Sequence, residues 1–230
     1  MKDNIKIAYV DHKAALFACK NWHYSKRIPV NKLVKIGIWE NDIFIGVIIF
    51  GVGASSHLHE QFDIERNEAC ELVRVALKIH KIEVSYLIKE ALKLLKESNP
   101  KLRVCVSFAD PSEGHIGGIY QAGNWIFTGV SNKTIEFFYN GKWRHKTDVY
   151  KRMDKDKVVK LKQQTKQGKY RYVMPLDKKI RRVILKTSKP YPKKTCREGV
   201  TGSTSDVQSE GIGSSPIHGL DGNKITKEVP

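Results

Sequence analysis

The stretch SFADPSEGHIGGIYQAGNW, residues 107–125, runs an apolar strand into a polar, Gly-rich turn and then into a short helix. Arg103 to Ala109 reads as a buried strand: Val104 and Val106 are β-branched, Cys105 and Phe108 are apolar, and Pro111 ends the run by denying the ladder a donor. Asp110 therefore stands at the carboxyl end of a strand, where open α/β sheets place their ligands. Downstream, Ile116, Ile119 and Tyr120 predict a helix from about His115 to Ala122, with Gly123 where its C-cap falls and Asn124 and Trp125 opening the next strand. Asp110, His115, Tyr120 and Asn124 are thereby expected around one crevice at the end of a sheet. The plainer alternative makes Asp110 a turn or cap residue and Tyr120 core.

Outward from this stretch, Lys6 to Val10 reads as a first strand, and Asp11 N-caps a helix ending near Trp22. His23-Tyr24-Ser25-Lys26-Arg27 and Pro29 make a loop. Leu33–Glu40 and Ile43–Phe50 form a hairpin across Asn41-Asp42. Glu71 to Leu77 is a strand carrying Arg74 among Leu72, Val73, Val75 and Ala76; an arginine in so apolar a strand must reach the sheet's end or find an anion. Val84, Leu87, Ile88, Ala91, Leu92 and Leu95 lie on one helical stripe that stops before Pro100. Two more strands, near Trp125–Val130 and Ile135–Tyr139, are expected to be joined by a turn, with Asn140-Gly141 at the exit. The order β, α, β, β, β, α, β, α, β, β implies a mixed α/β (α+β) sheet, mostly antiparallel from its hairpins. The long helix is expected as the crossover between parallel strands bearing Arg74 and Asp110.

The formal net charge is +17, and it is local. Residues 142–194 hold 20 Lys and Arg against 4 Asp and Glu, whereas residues 1–141 hold 18 against 15 and residues 195–230 hold 3 against 5. A segment this basic beside a nearly neutral domain is the footprint of a polyanion, most commonly nucleic acid. Lys178, Lys179, Arg181 and Arg182 head its candidate phosphate contacts, and Trp143, Tyr150, Tyr170, Tyr172 and Tyr191 interleave rings for stacking. Three regions are expected: a catalytic domain over 1–141, a basic DNA-binding extension over 142–194, and a Gly/Ser/Thr-rich disordered tail over 195–230. No apolar run reaches the ~18 residues of a membrane span and no signal peptide opens the chain, so the sequence reads as soluble and not exported. Cys19, Cys70, Cys105 and Cys196 have no paired spacing and read as reduced thiols. His57 and His59 look like loop histidines. No metal site is predicted, although iron or zinc stays open should the fold bring His23 to Asp110 or His115.

Four segments in order, Trp22-His23-Tyr24-Ser25, Glu71-Leu72-Val73-Arg74-Val75, Ser107-Phe108-Ala109-Asp110-Pro111 and Gly118 to Trp125, resemble the phage Mom family of DNA-modification proteins. The element order is similar to the acyltransferase fold of the GNAT superfamily. The resemblance spans most of residues 20–195. It implies an enzyme acting in the host cytoplasm that places a carbamoylmethyl-type group on N6 of adenine in duplex DNA and so protects phage DNA from restriction. It carries a functional arginine onto Arg74, a carboxylate onto Asp110 and a tyrosine onto Tyr120, with His23, Tyr24 and Ser107 beside them. A base extruded from the duplex needs aromatic walls, for which Trp22, Tyr24, Phe108 and Trp125 are the candidates. GNAT proteins bind coenzyme A through a Gly-rich pyrophosphate loop. Here that position reads Lys78-Ile-His-Lys81-Ile-Glu83, with Lys78 and Lys81 as the phosphate partners and no glycine. Acyl-CoA follows from the fold resemblance alone, and the carbamoylmethyl bond to a saturated carbon is not one that thioester acyl transfer makes. Two other classes fit parts of the sequence: a conventional N-acetyltransferase for a protein or small amine, and a non-catalytic nucleic-acid-binding module.

Overall fold

The computed structural model describes residues 4–30, 32–52 and 58–193. Strand β1 (Ile5–Tyr9) leads to helix α1 (His12–Trp22), then β2 (Leu33–Glu40), β3 (Ile43–Gly51), β4 (Ala69–Leu77), α2 (Val84–Ser98), β5 (Val104–Ala109), α3 (Gly118–Ala122) and β6 (Ile126–Val130). There follow β7 (Thr134–Tyr139), β8 (Lys142–His145), α4 (Lys146–Tyr150), α5 (Lys155–Val158), β9 (Gln163–Lys166), β10 (Tyr170–Pro175) and α6 (Lys178–Leu185).

Local chemistry sets these bounds. The Asp11 carboxylate accepts the Ala14 amide at 2.8 Å and starts α1. Asn41 and Asp42 both take positive φ, 51° and 60°, as a two-residue hairpin between β2 and β3 requires. Leu87, Ile88, Ala91, Leu92 and Leu95 bury the predicted stripe of α2. They pack with Ile36, Ile38, Ile48, Phe50 and Leu72 from the sheet, each large aliphatic side chain contributing about 1.5–3 kcal/mol. Helix α1 covers the other face through Ala15, Ala18 and Cys19.

The seven-stranded sheet has the order β1-β2-β3-β4-β5-β10-β6. Only β4 and β5 run parallel, with α2 as their crossover, and every other neighbouring pair is antiparallel. A second, three-stranded sheet has the order β8-β7-β9.

Three expectations change. Strands β6 and β7 are not a hairpin: β6 pairs with β10, whereas β7 turns into the second sheet and pairs with β8 across Asn140 and Gly141, both at positive φ. The break expected at 141/142 is not a structural division, because β10, from the basic segment, is inserted between β5 and β6 with Tyr172 and Val173 fully buried. The short helix spans Gly118–Ala122 rather than starting at His115: Pro111–Glu113 form a 3₁₀ turn instead, and Gly117 takes φ 83° against the Tyr172 ring. A Cβ at Gly117 would lie 2.3 Å from that ring, so this close approach needs glycine. Cys19, Cys70 and Cys105 are buried free thiols. His57, Cys196 and the tail expected over 195–230 lie outside the described residues, among which no helix is long and apolar enough to cross a membrane.

Candidate active site

The site begins where two strands part. Strands β4 and β5 pair from Ala69↔Val104 to Leu72↔Ser107 and no further, although β4 runs on to Leu77 and β5 to Ala109. At the same point the β3–β4 register slips: Phe50 faces Leu72 and Ile49 faces Arg74, leaving Val73 as an extra residue. This bulge turns Val73 and Arg74 toward the α1 side of the sheet, re-aiming the arginine as bulges beside functional sites do. Its Nη1 donates to the Val73 carbonyl at 2.6 Å and its Nε lies 3.5 Å from the Arg27 carbonyl. Among the described residues no ion pair joins it to a carboxylate, so a half-buried cation held by two carbonyls stands beside the opening.

Ser107 stands at the vertex. Its hydroxyl oxygen is 2.8 Å from the Leu72 carbonyl and 2.8 Å from the Tyr120 hydroxyl. A carbonyl only accepts, so the serine proton goes to Leu72 and the Tyr120 hydroxyl donates to Ser107. Tyr120 is 7% exposed and wedged between Trp125 and Tyr172, each ring centroid 5.2 Å away. Burial pushes its phenol up to about 12, with the hydrogen bond it shares with Ser107 opposing. Tyr120 is therefore protonated at neutral pH, with its proton directed to Ser107.

Asp110 lies across the opening, 6% exposed. Burial alone would raise its pKa, but hydrogen bonds from Ser112 and the Lys169 ammonium, 3.2 Å from Oδ2, outweigh burial and hold the carboxyl below its usual range. Asp110 also caps the 3₁₀ turn through the Ser112 amide. The capping role and the site role coexist: one oxygen holds the turn while the other faces Lys169.

His23, Tyr24 and His115 complete the wall. The Ser25 amide donates to His23 Nδ1 at 3.1 Å, which places the proton of the neutral ring on Nε2. Burial, then the charges of Arg74 and His115, lower this imidazole to about 4. Tyr24 stacks on His23 at 4.3 Å, meets His115 at 5.6 Å and is 52% exposed. Burial raises its phenol, with Arg74 and Lys166 opposing and Asp110 and Glu113 reinforcing. Arg74, Asp110, Tyr120, Ser107, His23 and Tyr24, drawn from four separated segments, thus converge on one opening.

Lys166 and Lys169, from the basic segment, also reach this opening and were not among the predicted site residues. The alternation of Tyr170, Tyr172 and Met174 was a sequence signal that a strand follows Lys169, though not of where that strand pairs.

Other candidates are placed differently. Trp125 is 1% exposed in the core and cannot stack on a base. Trp22 is half-buried among Phe17, Phe44 and Lys78, and Phe108 packs against the cluster of Val104 and Ile184. Tyr24 alone of the four is an exposed ring at the opening. Of the interleaved aromatics, Tyr172 is core, and Tyr191 spends its hydroxyl on the Trp125 carbonyl at 2.7 Å. Lys178, Lys179, Arg181 and Arg182 are all exposed on α6, opposite the buried Ile180 and Ile184.

Between β4 and α2 the turn does not form the phosphate cradle expected of Lys78 and Lys81. The Lys81 amide is taken by the Glu40 carboxylate at 3.2 Å, which puts a negative charge where a pyrophosphate would sit, and the Lys78 ammonium lies over the Trp22 ring at 6.0 Å. Coenzyme A bound in the usual manner does not fit these residues. Among the described residues no three His, Cys, Asp or Glu side chains stand together as a metal-ligand set.

Residues 4–193 match the model of the Mom protein family. The methylcarbamoylase mom of Escherichia phage Mu is 28% identical over 189 residues, covering 74% of this chain and 76% of that protein. Similar solved structures include a Bacillus subtilis acetyltransferase in complex with CoA, 14% identical with a TM-score of 0.45 over 76% of this chain and 99% of that one. An aminoglycoside acetyltransferase in complex with coenzyme A and kanamycin is 10% identical with a TM-score of 0.47 over 75% and 95% of the two chains.

Proposed function

The chain belongs to the Mom protein family, and on that premise we propose that it is a DNA-modifying transferase that attaches a carbamoylmethyl-type group to N6 of adenine. The observation that carries this reading is the convergence of Arg74, Asp110 and Tyr120 on the opening between β4 and β5, with Lys166 and Lys169 bringing the basic segment to its edge. The name of the phage Mu relative, a methylcarbamoylase, supports the class of group transferred. Double-stranded DNA is the partner, and the host cytoplasm, where phage DNA is exposed to restriction, is the setting.

The chemistry asked of the site follows from the substrate. The lone pair of N6 is delocalised into the purine ring, and inside a duplex the amino group is paired. The base must be extruded, with Tyr24 as the exposed ring to stack on it. The ionised Asp110 carboxylate accepts a hydrogen bond from the amino group, orienting it and drawing its proton as the new N–C bond forms. Arg74 neutralises anionic charge on the donor or on the group that leaves. Tyr120, protonated and buried, holds Ser107 at the vertex, and its proton goes to the donor only where a donor atom displaces Ser107 from that hydrogen bond. No step is routed through coenzyme A, whose usual phosphate site is taken by Glu40.

The test is direct. DNA from cells expressing the protein, digested to nucleosides, is expected by mass spectrometry to contain a deoxyadenosine heavier by a carbamoylmethyl group, and the same digest from cells expressing Asp110→Asn is expected to lack it. Unmodified deoxyadenosine in both, with an acetylated protein or amine instead, assigns the chain to conventional acetyl transfer. No modification of any kind, with DNA binding intact, reduces it to a binding module.

A further inference from the structure

We propose that the uncovered face of the small sheet, centred on Phe138 and Trp143 and edged by Lys162 and Lys166, holds unpaired nucleotides of the DNA strand beside the modified base. This rests on the reading of the protein as a DNA-modifying enzyme and adds where the strand lies.

Alternation along β7 separates two faces. One carries Phe137, which is buried with Val149 of α4 and Val158 of α5 and backed by Tyr139, Met153 and Leu161. The other carries Thr134, Glu136 and Phe138. Register adds Trp143 opposite Phe138, His145 and Gln164 opposite Glu136, and Lys166 opposite Thr134. The Phe138 amide donates to the Lys162 carbonyl at 2.8 Å, carrying the register one step further and setting the exposed Lys162 beside the ring.

Phe138 is 42% exposed and meets Trp143 edge-to-face at 5.5 Å, yet neither ring belongs to any of the packed apolar clusters of the described residues. As direct cross-strand neighbours the two rings help to hold β7 to β8, but they leave ring surface exposed, and the charge around it specifies an occupant. Glu136 is the one carboxylate on the three described strands of this face, and it accepts from Gln164 Nε2 at 3.0 Å. The remaining charged side chains there, Lys162 and Lys166, are cations, and Lys166 is near enough to the crevice to act on Tyr24. Rings for stacking with flanking lysines for phosphate are what a single strand needs. A paired duplex hides the faces of its bases, so only unpaired nucleotides use the rings. Extruding the adenine alone leaves its neighbours paired, so the rings are filled only where the pairs flanking it open as well, as they do in a bubble.

Binding of the full chain to a labelled duplex, matched or carrying a short unpaired bubble around the adenine, separates the possibilities. Wild type is expected to bind the bubble about ten-fold more tightly. Phe138→Ala is expected to erase that preference while leaving affinity for the matched duplex within about two-fold, and Phe138→Tyr, which keeps the ring, is expected to retain it. With wild type, photocrosslinking from 5-iodouracil next to the adenine is expected to label Phe138 or Trp143, a readout that needs no variant to fold. Equal binding of bubble and duplex by wild type, a preference that survives Phe138→Ala, or crosslinks confined to the large sheet would each overturn the inference. Wild type that binds neither DNA overturns the functional reading beneath it.

Discussion

The crevice between β4 and β5 and the basic surface of α6 are both rich in polar side chains, but they are built on opposite terms. In the crevice, the buried groups are committed: Ser107 to Leu72 and Tyr120, Asp110 to Ser112 and Lys169, His23 to Ser25. On α6, Lys178, Lys179, Arg181 and Arg182 are exposed and project from a helix anchored by the buried Ile180 and Ile184 and by its Asp177 cap, which pairs with Arg103. On the proposed function, low dielectric and fixed geometry would make each crevice group decisive for chemistry, whereas solvated cations would act additively and through salt. Substitutions in the two regions are therefore expected to fail differently, one in rate and the other in affinity.

The largest expected effect is that of Asp110→Asn. The amide oxygen can still accept the Ser112 amide, so the turn stays capped, but the charge that draws a proton and pairs with Lys169 is gone. Modification is expected to fall about 10³-fold with DNA affinity near wild type. Stability is expected to fall by about 1 kcal/mol, since Lys169 is half-exposed and water screens the pair. Tyr120→Phe comes next, at about 10²-fold in rate. Ser107 still donates to Leu72, so no buried donor is orphaned and the stability cost is about 1 kcal/mol. Mass-spectrometric modification rates beside thermal unfolding check both. Wild-type rates in folded variants would break the contrast, because the crevice would then be no more than a well-packed corner.

On the basic surface, changing Lys178, Lys179, Arg181 and Arg182 together to Gln is expected to leave the fold unchanged and to weaken DNA binding in a salt-dependent way. Each phosphate contact contributes about 0.9 to the slope of log affinity against log salt, so the slope should become shallower by up to about 3.6. Titrations at several salt concentrations measure it. An unchanged slope would move the DNA to other cations, Lys162, Lys166 and Lys169 first.

The two regions also differed in how readable they were. Elements up to β7 follow period and punctuation: the stripe of α2, the Asn41-Asp42 hairpin and the Pro111 stop are each decided by residues within a few positions of one another. The nearness of Asp110 and Tyr120 was legible for the same reason, since one follows a strand end and the other lies in the short helix after it, whereas Arg74, inside β4, was joined to them by the family resemblance. What was not legible depends on distant partners. The Val73 bulge that aims Arg74 is set by register against β3, and Tyr170–Pro175 became a central strand because β5 and β6 each offered a free edge. Tyr172 was read as a stacking ring for its basic neighbours, yet those neighbours say nothing of the sheet it enters. Trp125 failed similarly: its place at a strand start suggested a pocket wall, and packing on Tyr120 buried it.

A smaller effect sharpens the electrostatics of the crevice wall. Burial and the nearby Arg74 and His115 lower His23 to about 4, below the 6.5 of a free imidazole. Between these values the unfolded chain binds a proton that the folded chain refuses, so this contribution is complete above about pH 6.5 and is lost as pH falls toward about 4. His23→Asn keeps an acceptor for the Ser25 amide and removes the titration. Urea unfolding at several pH values is expected to give a shallower loss of stability in this variant, by at most one proton's slope, about 1.4 kcal/mol per pH unit. Identical pH dependence in the two proteins would mean that His23 opens to water before the chain unfolds.

The smallest expected effect is the removal of residues 195–230. The family match ends at residue 193, both lysines that reach the crevice lie before it, and the segment itself holds 3 Lys and Arg against 5 Asp and Glu. A segment of net charge −2 is a poor source of phosphate contacts to set beside those of α6, and the side chains described at the opening all precede it. The truncated protein is expected to modify DNA at the rate of the full chain and to bind it with the same salt slope, or slightly more tightly as a weak like-charge repulsion is removed. Modification measured beside thermal unfolding decides it: a truncated protein that unfolds normally but modifies DNA many-fold more slowly would add a third functional region to the two compared here.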